Sequence, residues 1–303
     1  MPFAIDTYRV TGRDGLQLAV ETRGATAAPP VLFAHGFGQS RHAWTRAAET
    51  LAARGWRAVS FDARGHGDSG QLAGGGYQLE QFVDDLLRVA HSLGRPPVLV
   101  GASMGGLLGL ASAGEHRPDP FRALVLVDIT PRWEAEGVER MLGFMRAHPA
   151  GFASLGQAAE EVAAYLPQRR RRKDRYELAQ LLRRGGDGRL RWHWDPALLD
   201  SVAREGERHQ QRLMNAARNV DVPVLLVSGG RSDIVSDATV AEFMQAVPHA
   251  RHVVIPHATH TLAGDDNAAF TAAIESFLNT LEEGTEGIEP DLIAPVPFFG
   301  DAS

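Results

Sequence analysis

The stretch Val98-Leu-Val-Gly-Ala-Ser-Met-Gly-Gly106 joins a short apolar run to a run of small residues through a Gly-x-Ser-x-Gly pattern. The apolar run predicts a buried strand, and Met104 to Glu115 predicts a helix that can pack closely on a sheet. So tight a turn from strand to helix leaves no room for side chains beside Ser103, whose hydroxyl must project above the sheet. The dipole of the helix that starts there favours negative charge. We therefore predict that Ser103 is a nucleophile.

Strand-like and helix-like segments alternate around this turn. Strand-like runs at Pro30 to His35 and at Arg57 to Phe61 alternate with helix-like runs at residues 41–54 and 79–93, and the alternation resumes after Ala217. Segments that alternate at this interval imply βαβ units, with right-handed connections between parallel strands. The predicted fold class is α/β, with a mostly parallel central sheet flanked by helices.

The alternation stops over residues 131–217, where the sequence predicts helices broken by prolines and glycines. We predict that this segment is a helical cap, inserted into an α/β core made of residues 1–130 and 218–282. The cap should cover the carboxyl ends of the strands, where open α/β sheets bind ligands. Residues 283–303 are an acidic tail punctuated by proline and glycine, for which disorder and packing through its phenylalanines are both open.

The composition excludes several kinds of protein. The chain has 303 residues and a formal net charge of -6, so no overall positive field attracts nucleic acid. It has no cysteine, which excludes disulfides, thiolate metal sites and cysteine nucleophiles. The sequence shows neither a signal-peptide pattern nor an apolar run of about 18 residues, the length needed to cross a bilayer. We therefore expect a cytoplasmic protein without a membrane or nucleic-acid partner, and the oligomeric state stays open.

A basic run, Arg169-Arg-Arg-Arg-Lys173, contains the only lysine of the chain. Asp174 and Glu177 lie close by and weaken the positive field, and no aromatic face accompanies the run. We therefore expect a solvated helix face rather than a site for an anion or a membrane. Because this lysine lies among arginines with no sign of burial, Schiff-base chemistry is not expected.

Further segments follow the order found in the α/β-hydrolase superfamily, so the chain resembles that superfamily over roughly residues 3–281. The first, His35-Gly-Phe-Gly38, comes directly after the predicted third strand and is similar to the oxyanion loop of the family. The resemblance implies that the backbone N–H groups of Phe37 and Met104 donate hydrogen bonds to the oxyanion of a tetrahedral intermediate.

The second segment, Asp62-Ala-Arg-Gly-His-Gly-Asp-Ser69, is similar to a loop that is usual in the family. His66 and Asp68 could be read as a base and the acid that orients it. The resemblance instead implies a structural role for both residues, in a loop that supports the site.

The third segment, Val224-Leu-Leu-Val-Ser-Gly-Gly-Arg-Ser-Asp233, is a predicted strand followed by two glycines and a turn. In similar hydrolases this position supplies the acid that orients the catalytic histidine, which favours Asp233. Asp128 is the alternative, because it ends the last predicted strand before the cap, and some members of the family take the acid from that strand. We expect Asp233 to be the acid.

The fourth segment, Pro256-His-Ala-Thr-His260, lies between the last predicted strand and the last predicted helix. It is similar to the loop that carries the catalytic histidine of the family. His260 is closer to the closing helix, where similar enzymes have their base, and we expect His257 to be a pocket or structural residue. The order Ser103, Asp233, His260 is the order that this fold uses.

The resemblance implies a mechanism. His260 takes the proton of Ser103 as the serine attacks a carbonyl, and Asp233 orients the imidazole. Water then releases the acyl group, with no metal or organic cofactor. We expect hydrolysis of a small-molecule carboxylic ester or lactone. Alternatives on the same fold are a carbon–carbon bond hydrolase of ring-cleavage products, a cofactor-free haloperoxidase or perhydrolase, and a ligand receptor without catalysis.

The predicted cap is rich in large apolar side chains, and some of them should line the substrate pocket. Aromatic residues at helical spacing pack in a core more often than they contact a ligand, so the sequence selects no single one. The candidates for the pocket are Trp133, Met141, Phe144, Met145, Trp192 and Trp194.

Overall fold

The computed structural model describes residues 5–165, 175–260 and 267–283. Its strands are β1 (Ile5–Thr11), β2 (Gln17–Arg23), β3 (Pro30–Ala34), β4 (Arg57–Phe61), β5 (Val98–Ala102), β6 (Ala123–Val127), β7 (Leu182–Arg184), β8 (Leu190–Trp192), β9 (Val224–Gly229) and β10 (Arg251–Ile255). Eight of them form one sheet in the order β1-β2-β4-β3-β5-β6-β9-β10. β2 is antiparallel to β1 and β4, and the strands from β4 to β10 in that order are parallel. The predicted α/β fold class is confirmed.

Helices cover both faces of this sheet. They are α1 (Thr45–Ala53), α2 (Leu79–His91), α3 (Met104–Glu115), α4 (Ala135–Arg146), α5 (Leu155–Tyr165), α6 (Arg175–Ala179), α7 (Ala197–Arg218), α8 (Asp237–Ala246) and α9 (Asn267–Glu283), with a short 3-10 helix at Arg41–Trp44 before α1. Side chains of α2, α3, α7 and α8 join the apolar core on one face, and those of α1 and α9 join the core on the other.

The strands at the centre of the sheet are buried on both faces. In β5, Leu99 points into one core while Val98 and Val100 point into the other. This burial explains why the strand is a continuous apolar run rather than an alternation of apolar and polar residues.

The strands β6 and β9 are neighbours in the sheet, and the described residues between them form α4 to α7 and a small antiparallel hairpin of β7 and β8. The sequence predicted only helices here. Each hairpin strand has 3 residues, too few for a two-residue period to be recognised. Tertiary contacts support the hairpin instead, because the backbone of Phe152 pairs with Leu190 and its buried ring meets the edge of Trp192.

The second half of α7 packs on α3. Leu213, Met214 and Ala217 are buried there, and a Cβ placed on Gly114 would lie closer than 3.0 Å to the carbonyl oxygen of Ala216. The last turns of the predicted cap therefore pack on α3, a helix of the predicted core. The division of the chain into core and cap stays a prediction.

Two predicted features fall wholly or largely outside the described residues. These are the basic run Arg169–Lys173 and residues 284–303 of the predicted tail, since α9 ends at Glu283. Within the described ranges, no helix combines the length and the apolar character needed to cross a membrane.

Candidate active site

Ser103 lies in a tight turn between β5 and α3. Its backbone has φ 45° and ψ -115°, a conformation that L-residues rarely adopt. The N–H of Ser103 donates to the carbonyl of Val127 at the end of β6 (3.1 Å), and its carbonyl accepts from Gly106 (2.9 Å). The side chain is half-buried. The turn therefore places Ser103 at the carboxyl edge of the sheet.

The glycines of the motif are required by close approaches of the backbone. A Cβ on Gly101 would lie 2.5 Å from the carbonyl carbon of Gly105, and a Cβ on Gly105 would lie closer than 3.0 Å to the carbonyl oxygen of Ala34 in β3. These obstacles are backbone atoms, which cannot move aside as a flexible side chain can. Strand, turn and helix can pack this closely only without side chains at these positions.

The predicted oxyanion loop lies directly against Ser103. A Cβ on Gly36 would lie 3.3 Å from the Cβ of Ser103. Within the described residues, neither the N–H of Phe37 nor that of Met104 donates to a protein acceptor. Two free donors beside a serine hydroxyl can bind an oxygen that becomes negative.

His260 is hydrogen-bonded to Asp128, which directly follows β6. Nδ1 of His260 lies 2.9 Å from Oδ2 of Asp128, and 1% of the aspartate side chain and 16% of the histidine side chain are exposed. With Nδ1 donating to the carboxylate, Nε2 of His260 carries a lone pair and can accept a proton. The backbone N–H of Ser103 donates to the carbonyl of Val127, the residue before Asp128, so Ser103 and Asp128 lie at the ends of the neighbouring strands β5 and β6.

The carboxylate of Asp128 has two further partners. The backbone N–H of Gly229 donates to Oδ1 (2.7 Å), and the hydroxyl of Ser232 donates to Oδ2 (2.6 Å). These bonds orient the buried carboxylate toward His260 and satisfy its remaining lone pairs. Ser232 has no signal in the sequence that would assign it this contact.

Asp233 does not contact His260, so the expectation that it orients the histidine is wrong in this structure. Its carboxylate pairs with Arg140 of α4, and 35% of its side chain is exposed. Gly137 of α4 packs on the backbone of Asp233, which places the residue at the contact between its loop and α4. Burial and, to a lesser extent, this carboxylate raise the pKa of nearby Tyr165 to about 12. The alternative named from the sequence, Asp128, takes the place beside the histidine.

His257, His66 and Asp68 are the other residues considered from the sequence, and the structure gives each of them surroundings different from those of Asp128 and His260. His257, the other candidate base, is exposed. His66 accepts a hydrogen bond from the N–H of Gly38 (3.2 Å). Burial opposes the ionisation of Asp68, but hydrogen bonds from Arg183 and Arg41 lower its pKa to about 2.

Two of the six predicted pocket residues contact the oxyanion loop. A Cβ on Gly38 would lie 2.6 Å from Cε of Met145 and 3.6 Å from Nε1 of Trp194, and the ring of Trp194 lies 6.2 Å from that of Phe37. Met145 and Trp194 belong to the inserted segment. The insertion therefore reaches the loop that lies against Ser103.

The other predicted pocket residues pack among apolar neighbours. Phe144 stacks on Tyr165, with ring centroids 4.2 Å apart, and lies 5.8 Å from Trp192. Trp133 and Met141 are partly buried against the larger apolar core. Whether these four side chains contact a substrate stays a prediction.

A profile of the family described as the alpha/beta hydrolase fold matches residues 29–266 of this chain. The chain belongs to the α/β-hydrolase family. The match extends from β3 across the inserted segment to the described loop that ends at His260, so it includes the whole candidate site.

Several known members of the α/β-hydrolase family are similar over most of the chain. A Bacillus subtilis (strain 168) protein provisionally named 2-succinyl-6-hydroxy-2,4-cyclohexadiene-1-carboxylate synthase is 31% identical over 91% of this chain and 99% of its own length. The 3-hydroxybutyrate-oligomer hydrolase of Cupriavidus necator is 29% identical over 86% of this chain and 92% of its own length. The crystal structure of E-2-(acetamidomethylene)succinate hydrolase matches with a TM-score of 0.77 at 26% identity, covering 91% of this chain and 100% of that one. Relatives that match most of this chain are named as a hydrolase, a lipase and an esterase, so this member of the family is a hydrolase enzyme.

Proposed function

We propose that this hydrolase is a serine enzyme that cleaves small-molecule carboxylic esters or lactones through an acyl-enzyme intermediate. The observation that carries the proposal is the hydrogen bond between His260 and the buried Asp128, at the sheet edge where Ser103 occupies a strained turn. A hydroxyl becomes a nucleophile when a histidine takes its proton and an acid holds that histidine.

In the proposed first step, Oγ of Ser103 attacks the substrate carbonyl carbon and Nε2 of His260 accepts the hydroxyl proton. The carboxylate of Asp128 holds the imidazole in this tautomer and stabilises its protonated form. When the tetrahedral intermediate collapses, His260 gives the proton to the departing alcohol oxygen and an acyl group remains on Ser103. In the second step His260 takes a proton from water, which attacks the acyl group and releases the acid.

The carbonyl oxygen becomes negative in both tetrahedral intermediates. We assign the N–H groups of Phe37 and Met104 as its donors, because neither donates to an acceptor among the described residues, Met104 follows Ser103 in sequence, and the loop that carries Phe37 lies against Ser103 through Gly36. In other enzymes, loss of one such donor lowers kcat by about 10²–10³. The proposed reaction uses no metal or organic cofactor, since the protein groups supply every proton transfer and the charge stabilisation.

Two observations support an ester or lactone as the substrate. The Cupriavidus necator relative is named for 3-hydroxybutyrate oligomers, and the units of such an oligomer are joined by carboxylic esters. The inserted segment covers the oxyanion loop with Met145 and Trp194, an apolar surface that suits an apolar acyl or alcohol group.

The test is a panel of aryl esters, lactones and vinylogous diketones, assayed with the wild type and with Ser103→Ala. The wild type should hydrolyse an ester or lactone, and Ser103→Ala should lower kcat about a thousandfold or more with unchanged circular dichroism. Ester cleavage by Ser103→Ala at a rate near that of the wild type would refute the serine mechanism. Turnover of the diketones alone would move the assignment to carbon–carbon bond hydrolysis.

A further inference from the structure

The peptide groups on either side of Phe37 are each held by a histidine. Nδ1 of His35 donates to the carbonyl of Gly36 (2.8 Å), and the N–H of Gly38 donates to Nε2 of His66 (3.2 Å). A trans peptide group is planar, and its C=O and N–H point in opposite directions. The bond to the carbonyl of Gly36 therefore fixes the direction of the Phe37 N–H, and the bond to His66 fixes the next peptide group.

These histidines accept hydrogen bonds from backbone N–H groups, which only a neutral imidazole can do. Nε2 of His35 accepts from Ala63 (2.9 Å), and Nδ1 of His193 accepts from Gly67 (2.8 Å). Burial lowers the pKa of all three, that of His66 well below its usual value and that of His193 to about 4. All three are therefore neutral acceptors near pH 7.

The loop that carries His66 also binds the inserted segment. Besides the bond from Gly67 to His193, the N–H of Asp195 donates to the carbonyl of Gly65 (2.8 Å). The rings of His66 and His193 lie 6.3 Å apart, and the ring of Phe37 lies 5.6 Å from that of His66. One contiguous set of contacts therefore runs from the insertion through this loop to the oxyanion loop.

We propose that His66 is a positioning residue, which holds the oxyanion loop through Gly38 and transmits the docking of His193–Asp195 to the N–H of Phe37. This inference rests on the proposed function. No proton of the reaction passes through His66. Its effect is geometric, because an oxyanion donor stabilises the transition state only when it points at the oxygen, and small displacements are costly.

Two substitutions at His66 separate this role from simple packing. In His66→Leu nothing accepts from Gly38, whereas in His66→Gln the side-chain oxygen can reach the position of Nε2. We expect His66→Leu to lower kcat for an ester by about 10–100-fold with KM changed less than about threefold, and His66→Gln to recover most of the loss. Equal kcat in the wild type and His66→Leu would overturn the proposal.

The second readout is inhibitor affinity. A trifluoromethyl ketone, which forms a tetrahedral adduct on the serine, should lose affinity across the His66 series in proportion to kcat/KM. The product acid should bind all three proteins with similar affinity. If the product loses affinity as much as the ketone does, His66 supports the pocket in general and the proposal fails.

A double-mutant cycle tests the coupling to the inserted segment. His193→Leu removes the acceptor for Gly67 and should itself lower kcat, and the double variant with His66→Leu should lose less kcat in total than the product of the two single losses. Independent, multiplicative effects would overturn the coupling. If His66→Leu does not fold, His193→Leu alone tests the coupling, and an unchanged kcat in that variant would overturn it. Ser103→Ala is assayed alongside: if it keeps full activity the proposed function fails, whatever the histidine variants do.

Discussion

Backbone strain in the described residues is concentrated at the candidate site. Ser103 (φ 45°) and Asp128 (φ 50°) are the non-glycine residues with positive φ in that part of the chain. Such conformations cost on the order of 1–3 kcal/mol each and persist where the surrounding contacts determine them. Here the N–H of Ser103 donates to Val127 (3.1 Å) and that of Asp128 to Val227 (2.7 Å). These hydrogen bonds to neighbouring strands stabilise the strained backbone conformations of Ser103 and Asp128.

The pairing of Asp128 with His260 gives a prediction for two aspartates. Asp128→Asn should lower kcat by about 10³–10⁴, because an amide favours the wrong tautomer of the histidine and does not stabilise its charged form. Asp233→Asn is the control and should change kcat less than about threefold, since Asp233 pairs with Arg140 instead. Steady-state kinetics on one aryl ester measures both. The reverse ranking would return the acid to Asp233.

The order of motifs predicted the serine, the histidine and the oxyanion loop, but it favoured Asp233 as the acid, whereas Asp128 is hydrogen-bonded to His260. Asp128 and Asp233 follow β6 and β9, which are parallel neighbours and end at the same edge of the sheet. Which of the two faces His260 depends on how the later loop turns. That turn is set by Ser232 and by packing on α4, contacts that no local pattern encodes.

At the scale of elements, β5, α3 and β3 pack with their backbones in near contact at Gly105. The apolar run and the small residues of this region predicted a strand and a helix, and both are confirmed. The sequence did not predict the hairpin of β7 and β8, because contacts with distant residues such as Phe152 stabilise it.

Gly105→Ala tests the close approach. The added Cβ would lie closer than 3.0 Å to the carbonyl oxygen of Ala34, so we expect a loss of about 1–3 kcal/mol in the free energy of unfolding. Gly143→Ala is the control, because it lies in α4 with nothing within 4 Å of the added Cβ. It should be neutral or stabilising by up to about 1 kcal/mol. Urea denaturation compares the two variants, and equal stabilities would contradict the packing described for Gly105.

At the scale of the whole molecule, buried neutral histidines join the insertion to the sheet. The pKa of His193 is about 4 in the folded protein, against about 6.5 for an unperturbed histidine. Between these values the unfolded chain binds a proton that the folded protein does not. The free energy of unfolding is therefore retained above about pH 6.5 and falls as the pH drops toward about 4. His35 and His66 act in the same direction.

We expect His193 alone to make the free energy of unfolding about 2 kcal/mol lower at pH 5 than at pH 7. His193→Gln should reduce this pH dependence, because it removes the buried imidazole whose pKa is lowered. Urea denaturation across this range measures both effects. A wild-type stability that stays constant from pH 7 to pH 5 would contradict the neutral, buried state of these histidines.

The most direct test of the central claim is to trap the acyl-enzyme. A slowly hydrolysed aryl ester is mixed with the wild type, quenched in acid within the first turnover, and the protein is digested for mass spectrometry. We predict one acyl group per chain on the peptide that contains Ser103, released with the kinetics of turnover and absent in Ser103→Ala. An acyl group on another residue, or turnover with no covalent intermediate and no burst of the phenol, would contradict the proposed mechanism.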